Sequence, residues 1–178
     1  MRLWTAWHEE WKQEVASCAV ETEDGLVFLD PLAPPEDLGA PDHVLVTVFF
    51  HARDAGALGG RVWAPSRLVR RLRNRGVEVS DPFEPGDELP GGIRCFETGR
   101  PAEVCYWLPG ERALWFGDVV LGSPELRLCP KSWLGSATHD ELEESLRPLL
   151  ELPVEQLLLA HGESVRSGGH DALAALLA

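Results

Sequence analysis

Three apolar runs in this chain each end on a residue able to hold a metal ion or move a proton. His51 follows HVLVTVFF, Asp118 follows ALWFG, and His161 follows LLLA. In open α/β sheets the loops beyond the carboxyl ends of strands converge on ligands while the strand bodies stay packed. Three such residues in one layout therefore point to a shared site. Singly, each is also what an ordinary turn or helix cap supplies. The densest stretch is VTVFFHARDAGAL (46–58), where His51, Arg53 and Asp54 fall within four positions. Imidazole and carboxylate suit zinc, iron or manganese. Arg53 is a permanent positive charge that opposes a cation, unless it lies in a helix first turn and faces solvent.

Strands and turns must position these groups. ASCAVETEDGLVFLDPL (16–32) reads as a hairpin turning at Glu23-Asp24-Gly25. Residues 43–50 are a near-continuous apolar run, as in a fully buried strand. DAGAL forms a short helix, RVWA a strand, PSRLVRRLRNRG a helix closed by Gly76, and VEVS a strand. IRCFET, AEVCYWL and ALWFGDVV read as a meander divided by Gly and Pro. Thr138 and Glu141 form a capping box that opens HDELEESLRPLLEL, LLLA is a strand, and HDALAALL closes the chain as a helix. The N-terminal WTAWHEEW is polar-aromatic and receives no element. The order of elements describes one mixed α/β domain spanning 1–178, with helices covering sheet faces.

Bulk properties narrow the function classes. The chain has 178 residues with 44% hydrophobic and 25% charged content, which suits a soluble globular protein with a sizeable core. It holds no apolar run long enough to span a membrane, and its first residues lack a signal-peptide core, so a cytoplasmic location is expected. A net charge of -13 disfavours nucleic acid as a partner. The arginines of RLVRRLRNR (67–75) fall at helical spacing around Leu68, Val69 and Leu72 and read as a solvated helix face. Cys18, Cys95, Cys105 and Cys129 form no Cys-x-x-Cys pair, which excludes a zinc knuckle and leaves free thiols. His8, His43, His139 and His170 read as solvated, and Trp133 as a loop anchor or part of a loop over the site. No Gly-x-Ser-x-Gly elbow or phosphate loop occurs.

The order DGLVFLDP, VTVFFHARDAGAL, ETGRPAEVCYWLPGERALWFGDVV and LLLAHGESV resembles that of the metallo-β-lactamase-fold hydrolases along nearly the whole chain. The resemblance implies a four-layer αββα sandwich with metal ligands on loops at the sheet edge. Against the family signature Thr-His-x-His-x-Asp-His, Phe49 stands for the first His and His51 keeps the second. Arg53 stands for the Asp, and Asp54 for the third His. Gly99-Arg100 replaces Gly-His, whereas Asp118 and His161 are retained.

Two readings follow from the resemblance. In the first, Asp54, Asp118 and His161 hold one divalent metal (zinc, iron or manganese). His51 then serves as ligand or general base with Asp118, Arg53 or Arg100 polarises an anionic substrate, and a small ester, thioester or lactone is hydrolysed. In the second, Arg53 and Arg100 pair with the carboxylates, no metal binds, and the fold is non-catalytic or binds a small anion.

Overall fold

Strands apolar on both faces decide the architecture, because successive side chains point to opposite sides of a sheet and both sides must be covered. The computed structural model describes all 178 residues. A six-stranded sheet runs β1 (Arg2–His8), β2 (Gln13–Thr22), β3 (Gly25–Leu29), β4 (His43–Leu45), β5 (Arg61–Pro65) and β6 (Asp81–Phe83) in sequence order. Its first three strands are antiparallel and the later neighbours parallel. After β7 (Arg94–Glu97), β8 (Val104–Leu108) and β9 (Ala113–Phe116) comes a short ribbon of β10 (Val120–Leu121) and β11 (Arg127–Leu128). β12 (Gln156–Leu159) then pairs parallel to β9 and completes a second sheet in the order β12-β9-β8-β7.

The two sheets face each other. Val27, Leu29 and Leu45 of the first pack against Tyr106, Leu108, Trp115 and Leu158 of the second. Alternate residues point outward. Phe28, Val44 and Val62 lie under Leu68 and Leu72, the latter on α1 (Val69–Arg73). Leu114, Phe116 and Leu157 are covered by α2 (His139–Leu146) and α3 (Gly169–Leu176) through Leu142, Leu146 and Leu173. Burying each such side chain is worth about 1.5–3 kcal/mol. The result is the expected αββα sandwich. No helix is long and apolar enough to cross a membrane, and all four cysteines are free and buried.

Several expected elements are replaced. The Trp-rich N-terminus forms β1, paired along its whole length with β2. The apolar run 43–50 leaves the ladder after Leu45, because the Thr47 N–H donates to Asp30 Oδ1 (2.8 Å) and Val48 bridges to Glu103 beside the second sheet. Residues 49–52 then coil into a 3₁₀ turn. No helix forms over DAGAL: Arg53 has φ 39, and the Asp54 carboxylate is engaged by the Ala33 N–H. VEVS is not a strand, since the Val77 N–H caps α1 at Leu72 O and pairing resumes only at Asp81. The Thr138–Glu141 capping box is present, but α2 stops at Leu146, before Pro148, and continues as a 3₁₀ turn.

Asp30 governs this geometry. It has no solvent exposure and sits at φ 47, a backbone region that Asp tolerates better than most residues. Its carboxylate accepts from Thr47 N (2.8 Å), Thr47 Oγ1 (2.7 Å) and Trp115 Nε1 (2.9 Å), and meets His51 Nδ1 at 3.0 Å. Burial alone would raise its pKa, but His51, Arg53 and the Thr47 hydroxyl hold it below the ordinary carboxylate value. The resulting stabilisation is complete above the unfolded carboxyl's pKa of 3.8 and is lost as pH falls through the lower folded value. Asp30→Asn, which turns an N–H₂ toward donors, should cost about 3 kcal/mol at neutral pH in urea unfolding. The gap between variant and wild type should narrow below about pH 4. A gap that stays constant or widens on acidification would refute this role.

Candidate metal centre and its cleft

The residues that end the three apolar runs come together. His51 is carried by the 3₁₀ turn after the bent segment, Asp118 follows β9, and His161 follows β12. Two glycines permit the approach. A Cβ on Gly117 would meet Thr47 Oγ1 at 2.5 Å, and one on Gly162, at φ 84, would lie 2.5 Å from the Gly122 backbone. His51 Nε2 lies 3.2 Å from His161 Nε2 and 3.1 Å from Asp118 Oδ1, and His161 Nε2 lies 3.1 Å from that same oxygen. Three electron-pair donors thus form a nearly equilateral triangle, the one grouping of His, Cys, Asp or Glu arranged to hold a metal ion.

The spacing can be compared with what a cation requires. Bonds of about 2.0–2.2 Å put tetrahedral donors roughly 3.4 Å apart and octahedral donors roughly 3.0 Å apart. The observed edges fall between these limits. The second ring nitrogen of His51 is also engaged by an acceptor, as a metal-binding imidazole requires. His51 Nδ1 is against the Asp30 carboxylate, whereas His161 Nδ1 meets the amide nitrogen of Gln13, a donor, at 3.4 Å. Two imidazoles and a carboxylate, oriented before any ligand arrives, fit a divalent cation.

The electrostatics have distinct causes. Burial and Arg53 push the His51 pKa down, but Asp30 and Asp118 outweigh them and raise it. For His161 burial wins over the Asp118 hydrogen bond, so its pKa is lowered. Burial would raise the Asp118 pKa, but His51 and His161 hold it far below the usual carboxylate range. Burial, followed by Asp118, pushes Glu103 up to about 7. Its two oxygens nevertheless face only donors: Oε1 accepts from Asp118 N (2.7 Å) and Val119 N (2.8 Å), and Oε2 from Arg100 Nη1.

The remaining sequence-derived candidates separate. Asp54 is not in the cluster; its Oδ2 accepts from Ala33 N at 2.6 Å in the neighbouring loop. Arg53 turns inward, which removes the solvent-facing alternative. Its Nη1 donates to Ala16 O (2.8 Å) and Asp30 O (2.6 Å), while Nε and Nη2 are buried without partners. Arg100 pairs through Nη1 with Glu103 and with Asp118 Oδ2 (3.0 Å), and Nε donates to Trp133 O (2.9 Å). Asp118 therefore offers one oxygen to the histidines and the other to a guanidinium.

Asp30 and Glu103 were not among the candidates. Asp30 carries the same signal as Asp118, an acid at the end of the apolar run LVFL, whereas nothing in AEVCYWL marks Glu103. The site opens into a cleft of about 600 Å³ lined by Trp11, Phe50, Trp133, Arg100, Asp118 and His161. Trp133 is 40% exposed and its ring centre lies 6.4 Å from that of His161, so it is a wall of the cleft. His8, expected to be solvated, stacks on Trp11 at 3.9 Å along the rim. His51 has no exposure and does not reach the cleft, which suits a ligand and not a general base.

No protein-family model matches the chain. A plasmid hemolysin secretion protein D of Escherichia coli is 28% identical over 110 residues, 60% of this chain, and the chain spans only 22% of that relative's length. Solved structures match almost end to end. The metallo-β-lactamase FIM-1 from Pseudomonas aeruginosa, in a mono-zinc form, superposes with a TM-score of 0.68 at 14% identity, covering 98% of this chain and 88% of that one. TTHA1623 in a di-iron-bound form gives a TM-score of 0.59 at 22% identity, covering 92% and 93%. These likenesses, together with two facing sheets flanked by helices and a donor cluster at the strand ends, show that the chain has the metallo-β-lactamase fold.

Proposed function

We propose that the chain is a hydrolase of small esters, thioesters or lactones built around a single divalent metal ion. The observation that carries this reading is the triangle of His51 Nε2, His161 Nε2 and Asp118 Oδ1, with edges of 3.1–3.2 Å. A bound zinc, iron or manganese ion supplies Lewis acidity, polarising a carbonyl and making water a better nucleophile at neutral pH. The mono-zinc neighbour supports one ion on this fold, and the di-iron neighbour shows that the metal differs among such proteins.

This chain's own groups do the rest. Asp30 fixes the tautomer of His51 so that Nε2 faces the centre. Glu103 clamps the Asp118 and Val119 amides, and Arg100 holds Asp118 Oδ2, so Oδ1 cannot turn away. Arg100 also lines the cleft, where it can bind an anionic group or developing negative charge. Asp30, Asp118 and Glu103 against Arg53 and Arg100 leave the cluster with one negative charge in excess. A dication reverses the sign and favours anionic substrates.

A second reading rests on one contact, the Arg100–Asp118 ion pair. There the guanidinium neutralises the carboxylate, no metal is taken up, and the cleft only binds. Zinc, iron and manganese analysis of protein purified without chelators separates the two. The first reading expects about one ion per chain, lost in Asp118→Ala and in His161→Ala together with esterase activity. Metal-free protein even after supplementation would sink it.

Arg53 makes a further expectation. Its buried charge opposes the cation, and two of its nitrogens gain nothing in return. Arg53→Met should therefore tighten zinc binding severalfold in chelator competition. Weaker binding would mean that Arg53 supports the centre instead.

A further inference from the structure

The helix that reads from sequence as a solvated basic face is joined to the cleft. Arg70, Arg71, Arg73 and Arg75 are exposed, in a chain of net charge -13. The side-chain ion pairs of arginine involve Arg2, Arg61, Arg67, Arg73, Arg100 and Arg112, but not Arg71 or Arg75. Those two lie instead over aromatic rings. The Arg71 guanidinium carbon sits 4.8 Å from the Phe49 ring centre, and that of Arg75 sits 5.2 Å from Phe50 and 5.6 Å from Phe49. The two rings are 4.0 Å apart and immediately precede the candidate ligand His51; Phe50 also lines the cleft.

A guanidinium held over a ring without an ion-pair partner keeps N–H groups for a planar or tetrahedral oxyanion. Ring contacts also restrict two side chains that would otherwise be mobile, lowering the entropy lost on binding. Across the rim, Trp11 stacks with His8, on which the charge of Arg75 also acts. The cleft thus has aromatic walls at Trp11, Phe50 and Trp133 with Asp118 and His161 inside, and Arg75 lies over the Phe50 ring that forms one of those walls, with Arg71 beside it over Phe49. A local positive patch on an acidic protein draws anions there.

We infer that Arg71 and Arg75 form an oxyanion subsite, and that the substrate is amphipathic, with an apolar or aromatic body and a carboxylate, sulfonate or phosphate group remote from its reacting carbonyl. The substrate assignment rests on the hydrolase reading, whereas the subsite does not.

The test uses the full chain, with and without zinc, and isothermal titration of 2-naphthalenesulfonate against its neutral sulfonamide. Wild type should prefer the sulfonate by roughly tenfold at low salt, from up to about fivefold for each exposed pair. R71Q/R75Q, changed only at exposed positions and checked by its Tm, should lose that preference while binding the sulfonamide as before. An unchanged preference would assign the anion to Arg100 and overturn the subsite, as would equal loss of both ligands. Failure to bind zinc with the preference intact would overturn the hydrolase reading alone. Where zinc supports turnover, R71Q/R75Q should raise KM for 4-nitrophenyl hemisuccinate and leave 4-nitrophenyl acetate unchanged. A matched change for both esters would overturn the substrate assignment.

Discussion

The solvent-free carboxylate of Asp30 is the constraint on which the centre depends. Its contacts join the end of β3, the bent segment at Thr47, the turn bearing His51 and the middle of β9 through Trp115. A buried carboxylate is tolerated only when its lone pairs are met, and here the donors come from parts of the chain far apart in sequence. Satisfying Asp30 therefore assembles the site. Thr47 leaves the ladder to reach it, and that departure delivers His51 to the ends of β9 and β12, where Asp118 and His161 wait.

Around this anchor the charges form two shells. Asp118 divides its oxygens between the imidazoles and Arg100, and Glu103 closes the arrangement behind it through two backbone amides and the same guanidinium. Arg100 thus answers two carboxylates, so its buried charge is well compensated, and those carboxylates raise its pKa despite burial. Arg53 differs. Its nearest acceptors are neutral carbonyls and two of its nitrogens are orphaned, so burial lowers its pKa. One arginine stabilises the frame, and the other limits how much positive charge the frame can hold.

Much of the fold was legible because the unbroken apolar runs LVFL, VCYWL, ALWF and LLL report burial on two faces directly. His51, Asp118 and His161 were legible for a related reason: each stands where an apolar run stops. The failures lie where one side chain overrides a local pattern. Residues 46–50 read as a strand, and the carboxylate of Asp30 at Thr47 together with the bridge from Val48 to Glu103 breaks their pairing. Asp54 stands at a ligand-like spacing, yet a neighbouring amide at Ala33 captures it. Glu103 was invisible because its role depends on amides and a guanidinium that only the folded chain brings to it.

Separate stretches of a chain can build one site when their donor atoms converge on one point. His51, Asp118 and His161 come from separate strand ends, so no local spacing requires their donor atoms to lie within 3.2 Å of one another. Three electron-rich atoms at that range repel unless a proton or a cation sits among them. The proton solution is available, since His51 has a raised pKa and His161 a lowered one. A proton satisfies two of the three donors, however, and a divalent ion satisfies all of them. The frame built around Asp30 and Glu103 holds the donors together against that repulsion, and such pre-organisation matches a metal centre better than a simple salt bridge, which Arg100 and Asp118 Oδ2 could form without either histidine.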